Sequence, residues 1–265
     1  MEKIVIGDYS FGDGSPRIAV PLIGRTTEEL LEHAGKIKEE LIRLDSEYAS
    51  YPELKVAVIE FRADYFEALF DTEELLSVLH SIREMFSDRL ILFTFRSEEE
   101  GGEFRHDRVG SNIVPLYEKV LSTGFIDMVD VEVRRGNYKV ARLANMAHEQ
   151  GAKVVMSYHD FQRTPHDNEI EEIIRSMEIL GADILKLAVM PRNEFDVRRM
   201  LELQERLDKE TFKPLTIISM GDIGLVSRFK GKETGACLTF ASIGEGSAPG
   251  QIEAADLIAL LKNQI

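Results

Sequence analysis

Residues 153–190 read KVVMSYHDFQRTPHDNEIEEIIRSMEILGADILKLAVM, two apolar runs on either side of an amphipathic segment. The runs Lys153–His159 and Ile184–Met190 are rich in β-branched residues and are bounded by glycine or polar residues, which indicates β-strands. Between them, Asn168–Leu180 carries apolar residues at helical spacing. A strand, a helix and a strand in this order are typical of two parallel strands joined by a crossover helix.

The same alternation continues along the chain, with no composition break, Pro-rich linker or low-complexity tract. In all, eight strand candidates alternate with helical patterns, and eight is the number that closes a barrel whose interior side chains fill. We therefore expect an α/β protein, a single (β/α)8 TIM barrel domain over residues 1–265. The other strand candidates are Ile18–Gly24, Lys55–Asp64, Leu90–Arg96, Met128–Val133, Leu215–Met220 and Ala236–Ser242. The other helical patterns are Thr27–Asp45, Thr72–Ser87, Ser111–Thr123, Asn137–Gln150, Glu194–Lys209, a short one around Gly221–Phe229, and Gln251–Leu261.

The alternative architecture is an open, doubly wound sheet. Such a sheet normally carries a Gly-rich phosphate turn after its first strand, and the residues there, Leu22-Ile23-Gly24-Arg25-Thr26, do not form one. Ahead of the first strand, Lys3–Arg17 contains a Gly-Asp-Gly turn signal. This segment predicts a β-hairpin that closes the floor of the barrel.

The composition argues against several classes of function. The 265 residues carry a formal net charge of -15 and a pI near 4.9, whereas nucleic acids and anionic membranes recruit basic surfaces. The single cysteine, Cys237, lies in an apolar run, so we expect a buried, inert thiol and no disulfide. Without a secretory h-region or a run long enough to span a bilayer, we expect a cytoplasmic protein. No HExxH motif or cysteine cluster is present, and we expect neither a metal nor another cofactor.

Charged residues stand where the second and third strands are predicted to end, which is where barrels place their reactive groups. Glu60, Arg62 and Asp64 share one face of the second strand because strand side chains alternate. They form either a structural ion-pair lattice or part of a site. Arg96 ends the third strand and is suited to bind an anion, whereas the glutamates at 98–100 belong either to the site or to a solvated loop.

The fifth and sixth strands supply a histidine and a lysine. Among six histidines, His159 is the one that closes a strand candidate, which favours general acid–base catalysis. Lys186 lies in the middle of an apolar strand, where burial favours the neutral amine that forms Schiff bases with carbonyl compounds. The alternative is a structural pairing of Lys186 with an inward carboxylate such as Glu60 or Glu132.

The last two units add another cation and a polar loop. Arg228 follows the seventh strand, and Ser247–Gln251 opens the final helical pattern, where Ser247 either caps that helix or helps to bind an anion. Together the strand ends indicate an imine-forming enzyme for a small anionic carbonyl compound, with Arg62, Arg96 and Arg228 attracting its charge. Residue types alone do not choose between aldol cleavage, dehydration and isomerisation.

The motifs, taken in order, resemble those of the type I 3-dehydroquinate dehydratases of the shikimate pathway. The matching pieces extend across almost the whole chain, and the ordered set is far more specific than any one of them. They are Glu60-Phe61-Arg62-Ala63-Asp64, Phe93-Thr94-Phe95-Arg96 with Glu100-Gly101-Gly102, Ser157-Tyr158-His159-Asp160-Phe161, Lys186-Leu187-Ala188, Met220-Gly221 with Ser227-Arg228, Thr239-Phe240, and Ser247-Ala248-Pro249-Gly250-Gln251.

The resemblance implies a role for each site residue. Lys186 would form an imine with the C3 carbonyl of 3-dehydroquinate. His159 would remove the C2 proton and then protonate the departing C1 hydroxyl, giving 3-dehydroshikimate. Glu100, rather than Glu98 or Glu99, would orient His159, and Arg228 would bind the substrate carboxylate. The remaining polar residues would contact substrate hydroxyl groups or the neighbouring arginines: Glu60, Arg62, Arg96, Ser247 and Gln251. Met220 and Phe240 would form apolar walls.

The same resemblance implies that the protein is a homodimer. It also implies that its binding partner is the small-molecule substrate, 3-dehydroquinate. One departure is Pro21, where some family members carry a serine, which puts a hydroxyl contact to the substrate there in doubt. Two rival hypotheses stay open from the sequence. One is another Schiff-base barrel enzyme, a class I aldolase, and the other is a non-catalytic barrel that binds a small acid.

Overall fold

Eight parallel strands with outer helices form the body of the protein. The computed structural model describes residues 2–104, 109–244 and 246–264. A hairpin of β1 (Ile4–Ile6) and β2 (Tyr9–Phe11) precedes the strands β3 (Arg17–Leu22), β4 (Val56–Arg62), β5 (Leu90–Thr94), β6 (Met128–Glu132), β7 (Lys153–Asp160), β8 (Ile184–Val189), β9 (Leu215–Ser219) and β10 (Leu238–Phe240). The helices are α1 (Thr27–Glu47), α2 (Thr72–Met85), α3 (Val109–Leu121), α4 (Asn137–Glu149), α5 (Asp167–Ile179), α6 (Glu194–Glu210), α7 (Val226–Phe229), α8 (Gly231–Thr234) and α9 (Ala254–Lys262).

The strands follow one another around a ring. Their order is β10-β3-β4-β5-β6-β7-β8-β9, and each neighbouring pair is parallel. Between β9 and β10 the hydroxyl of Thr216 accepts from the Leu238 N–H at 2.9 Å and donates to the Leu238 carbonyl at 3.0 Å. The Cys237 N–H also donates to the Leu215 carbonyl at 3.0 Å. These bonds close the seam, and the predicted (β/α)8 barrel is confirmed.

The hairpin covers the end of the barrel at which the strands begin. β1 and β2 pair antiparallel with Ile4 opposite Phe11, and the side chains of Ile4, Ile6 and Phe11 are buried among interior residues such as Val58 and Leu90. Val5 points the other way and is 66% exposed. The predicted hairpin floor is confirmed, and it leaves the opposite end for chemistry.

The helices pack one apolar face against the strands. In α6 the buried residues include Val197, Met200, Leu203 and Leu207, which recur at the helical spacing that the sequence shows. Asn193 caps this helix by accepting from the Asp196 N–H at 3.1 Å, a cap that typically stabilises a helix by about 1 kcal/mol. Among the described residues, none of the helices is both long and apolar enough to cross a bilayer.

The C-terminal segment differs from the prediction. The last helix begins at Ala254, not at Gln251, because residues 251–253 are held in an extended path beside Ser242. Ser242 donates its N–H to Ile252 and accepts from the Ala254 N–H, both at 2.8 Å. Ser247 therefore does not cap the final helix, and that interpretation was wrong. The polar loop that contains Ser247 instead lies over the barrel mouth.

Three predictions, one about Cys237 and two about helix boundaries, have clear outcomes. Cys237 is buried, and burial raises the pKa of its thiol to about 12, which confirms an inert thiol. The short pattern predicted around 221–229 is a 3-10 turn, Asp222–Gly224, followed by α7. The pattern predicted over Ser111–Thr123 is a helix that begins and ends two residues earlier.

Candidate active site

A cavity opens where the barrel strands end. It encloses about 480 Å³ between its lining atoms, mouth included, and all eleven residues that the sequence analysis assigned to the site line it. They come from β4, β7, β8 and β10 and from the segments that follow β5, β9 and β10. The closed ring therefore brings residues that are far apart in the sequence to one cavity. They are Glu60, Arg62, Arg96, Glu100, His159, Lys186, Met220, Arg228, Phe240, Ser247 and Gln251.

Lys186 lines this cavity from β8. Its side chain is 6% exposed, and Nζ is 3.6 Å from Glu60 Oε1, 3.6 Å from Asp130 Oδ2 and 4.2 Å from the centre of the Phe240 ring. Burial lowers the pKa of Lys186 below its usual value, although both carboxylates oppose that change. Since 3.6 Å exceeds a hydrogen-bond length, the amine is balanced between charges and is not fixed to either.

The sequence left a structural pairing of Lys186 with Glu60 or Glu132 open. Glu60 does approach the amine, but Glu132 contacts arginines instead, with Oε1 3.1 Å from Arg96 Nη1 and Oε2 2.7 Å from Arg135 Nη2. The unforeseen neighbour is Asp130. Neither neighbour turns Lys186 away from the cavity, so the pairing does not remove the amine from the site.

His159 and Glu100 form a buried pair beside Lys186. Glu100 Oε2 is 3.0 Å from His159 Nδ1 and also accepts from the His159 backbone N–H at 3.0 Å. Burial, with Arg96 and Lys186 nearby, holds the pKa of His159 well below its usual value, so the ring is neutral near pH 7. With the carboxyl group at Nδ1, we assign the ring proton to that nitrogen, which leaves the Nε2 lone pair as the base.

Glu100 is suited to support a protonated histidine. Burial and the Glu132 charge raise the pKa of Glu100 to about 8. When His159 takes up a proton, a cation forms 3.0 Å from this carboxyl group and favours its ionised form. The turn that carries Glu100 depends on Gly101, whose φ is 85° and whose Cβ, if present, would lie 2.5 Å from the Phe161 ring.

The three arginines predicted to attract an anion differ in how they are paired. Arg62 donates two parallel bonds of 2.8 Å to Asp64, and Arg96 contacts Asp130 at 2.7 Å as well as Glu132. Their charges are largely compensated within the protein, so they attract a ligand anion less than the sequence implied.

Arg228 has no such partner. Its guanidinium donates to the carbonyl oxygens of Phe240 at 3.3 Å and Pro249 at 3.0 Å, and no carboxylate of the described residues lies within ion-pair distance. Burial lowers the pKa of Arg228 from the ordinary arginine value to about 10. A buried cation without a counterion, at the edge of a cavity, is a strong binding group for a carboxylate.

A family model described as type I 3-dehydroquinase matches residues 18–264. The chain belongs to this family. The 3-dehydroquinate dehydratase of Syntrophotalea carbinolica is 41% identical over 265 residues, 98% of this chain and 97% of the relative. That of Listeria monocytogenes serotype 4b is 39% identical over 258 residues, 97% and 96% of the two chains. The solved type I 3-dehydroquinate dehydratase of Clostridium difficile matches with a TM-score of 0.88 at 34% identity and covers 99% of this chain and 97% of its own.

Hydrogen bonds fix the loop that carries Ser247 and Gln251 at the mouth of the cavity. Ser247 accepts from Arg62 Nη1 through its carbonyl at 3.2 Å, and its N–H donates to Gln251 Oε1 at 2.7 Å. The loop that supplies both residues is thus attached to a site arginine. Pro21, the departure from the family pattern named in the sequence analysis, is buried in β3 and is not among the cavity-lining residues.

The sequence analysis missed the polar residues behind the cavity wall. Asp130 and Ser157 are buried, and the Ser157 hydroxyl donates to Asp130 Oδ1 at 2.5 Å and accepts from Arg96 Nη1 at 2.8 Å. A signal was available, because Asp130 and Glu132 alternate with apolar residues in β6 just as the charged residues do in β4. A charged pair on the inward face of a barrel strand indicates the site whether or not it touches a ligand.

Proposed function

We propose that this protein dehydrates 3-dehydroquinate to 3-dehydroshikimate, a step of the shikimate pathway, through a Schiff base on Lys186. One observation carries the proposal: a buried amine of lowered pKa, a neutral histidine and an unpaired arginine line one cavity. Membership of the type I 3-dehydroquinase family and relatives named 3-dehydroquinate dehydratase support this substrate.

Lys186 begins the reaction. Its neutral amine adds to the C3 carbonyl, and the carbonyl oxygen takes up one further proton from solvent and leaves as water, so that a cationic iminium links the substrate to Nζ. Glu60 and Asp130, each 3.6 Å from Nζ, stabilise this positive charge. The iminium withdraws electrons from C2 and makes its proton removable.

His159 transfers the protons. Nε2 removes the C2 proton, and the resulting enamine pushes its electron pair toward C1 and expels the hydroxyl group there. The imidazolium, supported by Glu100 at 3.0 Å, returns its proton to that oxygen, which leaves as water. A second water then hydrolyses the iminium and frees the amine and the conjugated product.

The remaining residues bind and orient the substrate in this proposal. Arg228 pairs with the substrate carboxylate, because it is the buried guanidinium that has no carboxylate partner among the described residues. Met220 and Phe240 form apolar walls that exclude water. Glu60, Arg62, Arg96, Ser247 and Gln251 contact hydroxyl groups or hold the neighbouring arginines in place.

The test is an absorbance assay with 3-dehydroquinate, followed by borohydride reduction and mass spectrometry. We expect ultraviolet absorbance to grow as the conjugated enone forms, and a reduced adduct on Lys186. Lys186→Ala is expected to lose both turnover and adduct, since no other residue supplies the imine. Turnover retained in that variant would contradict the proposal, whereas adduct formation with strong competition by inorganic phosphate and no dehydration would favour the aldolase. Binding without adduct or turnover would favour the non-catalytic barrel.

We also propose that residues 1–265 form one catalytic domain that acts as a homodimer in the cytoplasm. The single domain is supported by the family match over residues 18–264 and by the coverage of the relatives over 96–97% of their length. The homodimer and the cytoplasmic location rest on the resemblance to the family alone. Sedimentation velocity is expected to give a species of twice the chain mass, and cell fractionation is expected to recover the activity in the cytosol. A species of the monomer mass would contradict the homodimer, and activity recovered with the membranes would contradict the cytoplasmic location.

A further inference from the structure

Asp130 lies behind the reacting amine and outside the reaction cavity. It is in the middle of β6, its side chain has no exposed surface, and it does not line the cavity that holds Lys186. Oδ2 is nevertheless 3.6 Å from Lys186 Nζ, as close as Glu60. A substrate in the cavity can therefore contact Lys186 without displacing Asp130.

The carboxylate of Asp130 is fixed from two further sides. Arg96 Nη2 donates to Oδ2 at 2.7 Å, and the Ser157 hydroxyl donates to Oδ1 at 2.5 Å. Ser157 stands opposite Lys186 in the register of β7 and β8, so the same strand pair positions both groups. Burial alone would raise the pKa of Asp130, but Arg96 and Lys186, with the Ser157 bond, outweigh it and lower that pKa. These contacts favour the ionised form of Asp130.

Glu60, the other carboxylate near Lys186, is placed differently. It lines the cavity, and the one described side-chain hydrogen bond to it comes from the Thr94 hydroxyl at 3.0 Å. Its oxygens are available to substrate hydroxyl groups, which would draw it away from the amine. The charged or titratable groups that face Lys186 are Glu60 and Arg62 from β4, Arg96 after β5, Asp130 from β6 and His159 from β7. Of the two carboxylates in this set, Asp130 alone is out of reach of a ligand.

We propose that Asp130 is a positioning residue, a permanent counterion that holds Lys186 and Arg96 and determines the pH range in which Lys186 condenses with its substrate. The proposal rests on the Schiff-base function proposed above. The Asp130 charge favours the ammonium form of Lys186, so removing it makes the neutral amine available at lower pH. The same charge stabilises the cationic iminium, so removing it also slows the later removal of the C2 proton.

The decisive variant is Asp130→Asn, which keeps the shape of the side chain and removes its charge. Asp130→Glu retains the charge and tests for rescue. Asp127→Asn is the matched control, because Asp127 precedes the same strand by one residue but pairs with Arg83 at 2.6 Å, far from Lys186 in the register. Folding of each variant is checked by circular dichroism.

The measurement is the rate of adduct formation on Lys186 in the presence of cyanoborohydride, by mass spectrometry from pH 5 to 9, together with kcat. For Asp130→Asn we expect the half-maximal pH to move at least about one unit lower, a tenfold rise in the neutral fraction at a fixed acidic pH, and kcat to fall. Asp130→Glu and Asp127→Asn are expected to keep the wild-type midpoint.

A uniform loss of rate with an unchanged midpoint would overturn the inference, since a purely structural residue would act in that way. If Asp130→Asn does not fold, the smaller Asp130→Ser carries the same test, and failure of both to fold would also overturn it. Absence of any adduct in the wild-type enzyme would instead refute the Schiff-base function itself. The two failures are therefore distinguishable.

Discussion

Replacing Arg228 with methionine is expected to weaken substrate binding strongly and to leave the barrel about as stable as the wild type. Arg228 is 1% exposed, and burial lowers its pKa from the ordinary arginine value to about 10. Each pKa unit corresponds to about 1.36 kcal/mol, so at neutral pH the charge opposes folding by about 3 kcal/mol. Below about pH 10, Arg228 is charged in both the folded and the unfolded protein, and the full cost is present. The cost decreases as the pH rises further and disappears above about pH 12.

The hydrogen bonds of Arg228 offset most of that cost. The guanidinium donates to the carbonyl oxygens of Phe240 and Pro249, and a bond from a charged donor contributes about 1.5 kcal/mol. Methionine removes both the cost and the bonds and fills much of the same volume. We expect the free energy of unfolding to change by no more than about 1 kcal/mol. In contrast, Arg96→Met should cost about 3–5 kcal/mol, because it removes the hydrogen-bonded cation of buried Asp130 and leaves Glu132 with Arg135 alone.

Urea unfolding followed by circular dichroism measures the stability, since the chain has no tryptophan. Steady-state kinetics measure the function: loss of a buried charged contact of about 2–5 kcal/mol lowers kcat/KM about 30-fold to several thousand-fold. The reasoning would be refuted if Arg228→Met lost as much stability as Arg96→Met. It would be refuted equally if kcat/KM were unchanged.

Three further predictions concern the histidine, the pH dependence and the barrel seam. His159→Ala should lower kcat by about 10²–10⁴-fold or more, while reduction still traps an adduct on Lys186; an adduct lost with the activity would contradict separate roles. Because the pKa of His159 is lowered, the base stays neutral below the usual histidine range, and kcat should hold constant as the pH falls through 6.5; a decline centred at 6.5 would contradict this. Thr216→Val should lower the free energy of unfolding by about 1–3 kcal/mol in urea titrations, because the N–H and carbonyl of Leu238 lose their partner; no change would show that the seam is held otherwise.

The sequence by itself determined the order of strands and helices and the residues that line the site. Apolar periodicity is local, so it survives in the linear chain, and the strand ends of a parallel barrel meet at one edge. The rule that strand ends carry the chemistry was enough to find His159, and the position of a lysine in the middle of an apolar strand was enough to find Lys186. The resemblance to the family added Glu100, Met220, Phe240 and Gln251. The sequence did not predict where α9 begins, because that boundary depends on the hydrogen bonds between Ser242 and residues 252 and 254.

Only the tertiary structure decided which charges are paired. Arg62, Arg96 and Arg228 look alike in the sequence, but their pairing differs in the structure. Arg62 pairs with Asp64 two residues away, whereas Arg96 pairs with Asp130 on a strand 34 residues away. Arg228 meets no carboxylate among the described residues. Asp130 and Lys186 likewise come from different strands and approach each other only when the ring closes. Charge compensation depends on distance and burial, and neither is a property of a residue's immediate neighbours in the chain.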